Sequence, residues 1–430
     1  MEHFKYVVVG NSAGAVAAVR ELRKVDDRGT LLVLSEEPYA AYSRPLIAKH
    51  VSEAKAVEQM ALVPPGYYRD CGIELRLNTR VAAVDTGGHL LRLQDGALVG
   101  WDRLLLATGS TPIVPPIPGN RRPGVFTFTT YDDARAVASF VPAVRHAVVI
   151  GGGFIGLSAT DALLKRGVGV SVVEMQPRIL SAMLDSAASC LVEDAATAAG
   201  ASVLTSRRVV SIDGSPGQTG SVASVLLDND TRIPCEMVIL AVGVRPRTEL
   251  AAGELTVERG IVVDEQMRTS RPDVFACGDA SQSYDFVRGT SGVIAVWPNA
   301  VSGGAVAGAN MAGLSRVYEG GTTLNALPYF GLSVASAGVI EDSSSAVDIE
   351  VASSAGSYRK IVLRNGVVIG MVFAGSTDTS GLIHMLMKRR VRVDGFRKAL
   401  VSEGFGLLSL PPELWQDDVT KDGASVNWKG

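Results

Sequence analysis

Gly151, Gly153 and Gly156 stand at the spacing G-x-G-x-x-G, between an apolar run, Ala147 to Ile150, and a helical stretch reaching about Arg166. A further apolar run, Gly169 to Val173, follows, and Glu174 closes it. Such a turn binds anions through its backbone. The glycines permit a sharp bend, close approach of a pyrophosphate and close packing of helix on strand, and the first N–H groups of the helix lack partners of their own. Gly151, Gly153, Phe154, Ile155 and Gly156 are therefore expected to hold a dinucleotide. Glu174 is placed to accept hydrogen bonds from an adenosine ribose, and its charge opposes a 2′-phosphate, so NAD(H) is expected over NADP(H). Arg178 pulls in the opposite sense, and a solvated strand-end charge is the alternative for Glu174.

The same order of elements opens the chain: an apolar run from Tyr6 to Val9, the turn Gly10-Asn11-Ser12-Ala13-Gly14-Ala15, a helix from about Gly14 to Lys24, and a strand, Thr30 to Leu34. Ser12 and Ala15 replace the second and third glycines, and both are small enough for the turn to form. Glu36 closes the second strand as a ribose acceptor, with Glu37 its immediate rival. Two β-α-β units of buried parallel type imply two dinucleotide sites.

Around these turns the chain must supply more than one core, because 430 residues exceed what one core organises. Apolar residues at 47% and charged residues at 20% are those of a folded globular protein, and 46 glycines suit backbone that approaches ligands. A net charge of −3 provides no basic face for nucleic acid or an anionic membrane. No stretch approaches the roughly 20 apolar residues that span a bilayer, and the run Tyr6–Val9 ends in Gly10, Asn11 and Ser12 with no cleavage site, as a strand and not a secretory signal. Cys71, Cys190, Cys235 and Cys277 have neither C-x-x-C nor metal-like spacing, which argues for reduced thiols in a cytoplasmic protein and against a bound metal. Prolines and Gly119 interrupt all periodicity from Thr111 to Pro123, a crossing between domains. A second crossing is expected near Val244 to Thr248, after a strand from Met237 to Ala241.

Further motifs resemble the pyridine nucleotide-disulfide oxidoreductase superfamily over nearly the whole chain. Asp102 to Ser110, with Ala107, Thr108 and Gly109, is similar to that family's A-T-G strand beneath FAD. Thr269 to Asp279 is similar to its second FAD motif, in which the position of Asp279, after Gly278, binds the ribityl chain. Ala241 to Pro246, through Gly243, resembles the strand closing the NAD domain. The resemblance thus makes the first turn an FAD site and brings Gly10, Ser12, Ala13, Gly14, Ala15, Glu36, Val81 and Trp297 into it. The helix after Trp297-Pro298 would aim its N-terminal dipole at the flavin pyrimidine ring.

Tyr42 to Lys49 is similar to the R-P-x-x-x-K segment of the ferredoxin, rubredoxin and nitrite-type reductases, which implies that Arg44, Pro45 and Lys49 approach the flavin. Lys49 would stabilise negative charge at the ring edge without transferring a proton. The Glu that pairs with this Lys in relatives is Ser158 here. The thiol-using branches need cysteines near the flavin, where this chain has Arg44-Pro45-Leu46. Leu324 to Leu332 resembles the start of the interface domain of these reductases, with Tyr329 and Phe330 either core residues or aromatics near the flavin.

The fold class expected is α/β: two Rossmann-like domains of glutathione reductase type and a C-terminal α+β interface domain. The divisions expected are FAD-binding 1–122 and 244–322, NAD-binding 123–243, interface 323–410 and a polar tail 411–430. The resemblance implies FAD and NAD(H) as cofactors, hydride exchange between them, and single-electron exchange with an iron–sulfur protein or subunit. It extends to flavin subunits of larger complexes, 2-oxoacid:NAD oxidoreductases among them. A free-standing NADH oxidase or diaphorase, and a structural or redox-sensing flavoprotein, are the rival readings. Pairing of two copies through the C-terminal domain is a further expectation.

Overall fold

The computed structural model describes residues 1–215, 220–342 and 346–414, so the expected tail lies outside the described residues from Trp415 onward. The chain folds as two compact units, Met1–Ser181 with Glu193–Thr323, and Ala182–Val192 with the chain from Leu324.

The first unit holds two sheets built on parallel strands. In one, strand Glu2–Val9 lies between Leu31–Leu34 and Leu98–Leu106, with Val9 level with both Leu34 and Leu106. Val7, Val8 and all of Leu31–Leu34 are buried, as expected of strands covered on both faces. The long strand Leu98–Leu106 shares its other side between an antiparallel arm, Leu90–Leu93, and the parallel strand Val274–Ala276. Gly10, Ala107 and Cys277 therefore follow three neighbouring parallel strands at one edge of the sheet, where open α/β sheets bind ligands. Helix Ala13–Val25 buries Ala15, Val16, Ala18, Val19 and Leu22 and packs against helix Trp297–Met311.

The second sheet is parallel throughout, in the order Ala201–Leu204, Gly169–Val173, His146–Ile150, Met237–Leu240, Val125–Thr127. Between the two sheets the chain passes twice, and the passages lie side by side: Ser110–Pro112 is antiparallel to Val244–Pro246, and the Ile113 N–H donates to the Gly243 carbonyl at 3.0 Å.

The second unit is an antiparallel sheet in the order Leu324–Tyr329, Leu332–Gly338, Val367–Ala374, Ser357–Arg364, Val347–Ser354, with helix Ser380–Lys388 against it. Ala182–Val192, within the stretch 123–243 expected to be one domain, folds with this unit. The cause is a buried polar knot. Asp185 accepts from the Tyr358 hydroxyl at 2.6 Å and from Lys360 Nζ at 2.9 Å. Burial opposes ionisation of Asp185, but those two bonds and one from the Ala188 N–H hold its carboxyl below the usual range. Among the described residues, no helix is long and apolar enough to cross a membrane.

Candidate cofactor sites

The two glycine turns are built alike. Gly10 and Gly151 have φ of +114° and +110°, and a Cβ added there would stand 2.1 Å from the Ala107 carbonyl oxygen and 2.3 Å from that of Ala241. Only glycine allows that conformation and that approach. The surrounding bonds repeat as well. Gly10 N–H donates to Leu34 at 2.8 Å and Gly151 N–H to Val173 at 2.9 Å, while Ala107 N–H donates to Val9 at 2.9 Å and Ala241 N–H to Ile150 at 2.8 Å. The A-T-G strand and its counterpart Ala241–Gly243 thus meet their turns in the same way.

In the first turn, Ser12 is the N-cap of helix Ala13–Val25 but its hydroxyl caps nothing. Ala13 and Ala15 are buried, and a Cβ on Gly14 would press on Cys277 Sγ and the Ala300 carbonyl, 3.0 and 3.2 Å away. Asn11 Oδ1 accepts from the Tyr68 hydroxyl at 2.6 Å, while Asn11 Nδ2 is buried with no acceptor among the described residues. An orphaned donor inside the turn fits a phosphate-bearing ligand.

Glu36 and Glu37 are distinguished by their partners. Glu37 is bound within the protein, by Arg44 in an ion pair and by the Tyr42 hydroxyl at 2.6 Å. Arg44 also donates to the Thr129 carbonyl at 3.1 Å. Among the described residues Glu36 meets only the guanidinium of Arg247, a residue that sequence reading passed over. Thr108 Oγ1 donates to the Arg247 carbonyl at 2.8 Å. Asp279 follows Gly278 at the end of strand Val274–Ala276, where Ser110 Oγ donates to it at 2.7 Å. Burial pushes its carboxyl up, against the pull of Ser110 and Arg44.

Other positions divide. Gly109 leaves open space where a Cβ would be, and Trp297 opens helix Trp297–Met311 with Pro298 in its first turn. Val81 is a core residue of the antiparallel arm, paired with Leu93. Lys49 is exposed on helix Ala48–Glu53, beyond the short turn Arg44–Leu46 that carries Pro45. That helix packs against helix Phe154–Leu164, which bears Ser158. Among the described residues no carboxylate pairs with Lys49.

In the second turn, Gly156 packs against the turn and the strand before it, since a Cβ there would lie 2.0 Å from the Gly151 oxygen and 3.3 Å from Val149 Cγ1, whereas Gly153 has open space to 4 Å. Phe154 and Ile155 begin the helix and are half-buried. Gly243, at φ +111°, has only the Ile113 side chain within 4 Å, at 3.9 Å. Glu174 accepts from the Gly152 N–H and the Gln176 N–H, both at 2.7 Å, which fixes the carboxylate beside the turn. Glu174→Ala is expected to raise the KM for NADH about tenfold, the effect of losing charge-assisted hydrogen bonds, and to narrow the preference for NADH over NADPH. Steady-state kinetics with both nucleotides checks this, and an unchanged NADH to NADPH ratio removes Glu174 from ribose recognition. Two of the thiols are poor nucleophiles: burial, with Asp279 nearby, pushes the Cys277 thiol up to about 12, and burial, with Glu236 nearby, does the same for Cys235.

Comparison with known proteins agrees with this geometry. Residues 4–304 match the model of the pyridine nucleotide-disulphide oxidoreductase family, and residues 324–391 match the rubredoxin NAD+ reductase C-terminal domain. The epsilon subunit of NADH-dependent phenylglyoxylate dehydrogenase from Aromatoleum evansii is 30% identical over 409 residues, 94% of this chain and 96% of that one. Rubredoxin-NAD(+) reductase from Pseudomonas putida is 30% identical over 72% of this chain and 80% of its own. A ferredoxin reductase from Rhodopseudomonas palustris has the same fold, with a TM-score of 0.82 at 24% identity over 90% of this chain and 95% of that one. With two glycine turns built alike and both family models matched, the chain belongs to the pyridine nucleotide-disulphide oxidoreductase family and is an FAD-dependent NAD(H) oxidoreductase.

Proposed function

We propose that the chain exchanges hydride between NAD(H) and FAD and passes single electrons between FAD and an iron–sulfur protein or subunit. The observation that carries this reading is the pair of equivalent turns, Gly10–Ala107 and Gly151–Ala241, in a chain whose flavin-side segment is Arg44-Pro45-Leu46 where thiol-using relatives place a cysteine. Flavin converts between electron pairs and single electrons. Asn11, Ser12 and Gly14 would hold the FAD pyrophosphate, Glu36 its ribose and Asp279 its ribityl hydroxyls. Lys49 would place positive charge at the flavin edge. Gly153 would admit the NAD(H) pyrophosphate and Glu174 its ribose.

The phenylglyoxylate dehydrogenase relative, matched over nearly its whole length, supports a role as the NAD-reducing subunit of a 2-oxoacid oxidoreductase complex. In that direction two single-electron deliveries and one proton balance each hydride given to NAD⁺. Residues 1–122 with 244–322 would form the FAD half and 123–243, apart from Ala182–Val192, the NAD half. The domain 323–410 would contact a partner subunit or a second copy of the chain. Four unpaired thiols suit a reducing, cytoplasmic setting.

The test compares anaerobic flavin reduction by NADH with NADH oxidation in air, on the same purified chain. Flavin reduction at least about tenfold faster than aerobic turnover is expected, because oxygen would be a poor substitute for the missing one-electron acceptor. Equal rates would make the chain a self-sufficient oxidase and end the subunit reading.

A further inference from the structure

Arg247 lies immediately after the second passage between the sheets, strand Val244–Pro246. Its backbone is fastened to the A-T-G loop at both ends of the residue. The Arg247 N–H donates to the Gly109 carbonyl at 2.9 Å, and the Arg247 carbonyl accepts from Thr108 Oγ1 at 2.8 Å. So anchored, its guanidinium pairs with Glu36 across 211 residues of sequence. The two side chains remain 33% and 39% exposed, so neither is sealed into the core.

A dinucleotide would bring two phosphate charges to the turn that begins at Gly10, which is bonded to the end of the strand that Glu36 follows, and like charges so placed repel. A fixed arginine removes that repulsion and keeps the carboxylate available as an acceptor for ribose hydroxyls. A guanidinium carries five N–H donors, more than one carboxylate can use. We propose that Arg247 is a binding residue for the adenosine half of FAD, acting together with Glu36 and setting how tightly the flavin nucleotide is held. The inference rests on Glu36 being the ribose acceptor of the FAD site. It makes the return passage from the NAD half part of the FAD site.

The experiment uses the full chain stripped of flavin and titrated with FAD and, separately, with FMN, which lacks the adenosine half, with binding read from quenching of flavin fluorescence. Arg247→Gln keeps the stem and removes the charge, and Arg247→Ala removes both. Each is expected to bind FAD about tenfold more weakly, the size of a charge-assisted contact, and to bind FMN as the parent does. Glu36→Gln, measured alongside, is expected to weaken FAD similarly, and the double variant Glu36→Gln with Arg247→Gln to be less than additive. If Glu36→Gln leaves FAD binding intact, the assignment of Glu36 is wrong. If Glu36→Gln weakens FAD but neither arginine variant does, Glu36 stands and the role of Arg247 falls. Equal loss of FMN and FAD in the arginine variants would reduce Arg247 to a support of the loop and overturn the inference.

Discussion

Gly153→Leu is expected to slow reduction of bound flavin by NADH by about a hundredfold or more, equivalent to about 2.7 kcal/mol, while FAD remains bound. The position is unusual among the glycines of its turn. Its φ of −84° is open to any residue, and a Cβ there meets no atom within 4 Å. A side chain at 153 therefore costs the protein little. What it would fill is the space in front of the first N–H groups of helix Phe154–Leu164, through which a pyrophosphate must come. Gly151 is the opposite case, with its positive φ and a Cβ 2.3 Å from the Ala241 oxygen, so substitution there would damage the fold together with the site. Anaerobic stopped-flow bleaching of the flavin, with flavin content and thermal unfolding on the same preparation, separates the two. Undiminished reduction in Gly153→Leu would mean that NAD(H) binds elsewhere.

The second turn was legible in the sequence because its requirements fall on backbone, which selects glycine at fixed spacing, whereas the first, with Ser12 and Ala15 in place of two glycines, was legible only with the motifs that follow it. The strands beside them were legible for a related reason: runs such as Leu31–Leu34 and Val170–Val173 are buried on both faces, so hydrophobicity alone marks them. What escaped depends on contacts between distant residues. Glu36 and Glu37 were indistinguishable until Arg44 and Tyr42 were seen to hold Glu37. Arg247 reaches Glu36 only because the return passage lies against the A-T-G loop. Ala182–Val192 joins the C-terminal unit through Asp185 and Lys360, 175 residues apart. In that unit the interior strand Val367–Ala374 could be read from its apolar run, whereas the edge strand Val347–Ser354, with Ile349 and Val351 exposed, has no buried face to mark it.

Gly308→Val is expected to cost more than about 3 kcal/mol of stability, at the upper end of overpacking, and to leave the chain largely without FAD. Helix Trp297–Met311 crosses helix Ala13–Val25 so closely that a Cβ on Gly308 would stand 2.0 Å from the Ala18 carbonyl oxygen, and one on Gly304 2.1 Å from that of Gly14. Gly304 with Gly308 and Gly14 with Ala18 are each one helical turn apart, so the two helices meet along matching stripes of minimal side chain. Backbone atoms cannot yield as a flexible side chain does, so valine must push the helices apart. The helix displaced is the one whose N-terminus forms the first dinucleotide turn, so the packing defect becomes a binding defect. Gly381→Ala is the control. It lies in helix Ser380–Lys388 with open space around it, and there alanine should stabilise by up to about 1 kcal/mol. Flavin content and thermal midpoint, measured on both variants, decide the matter. If Gly308→Val retained its flavin and its midpoint, the close approach of the two helices would not be what positions the first turn.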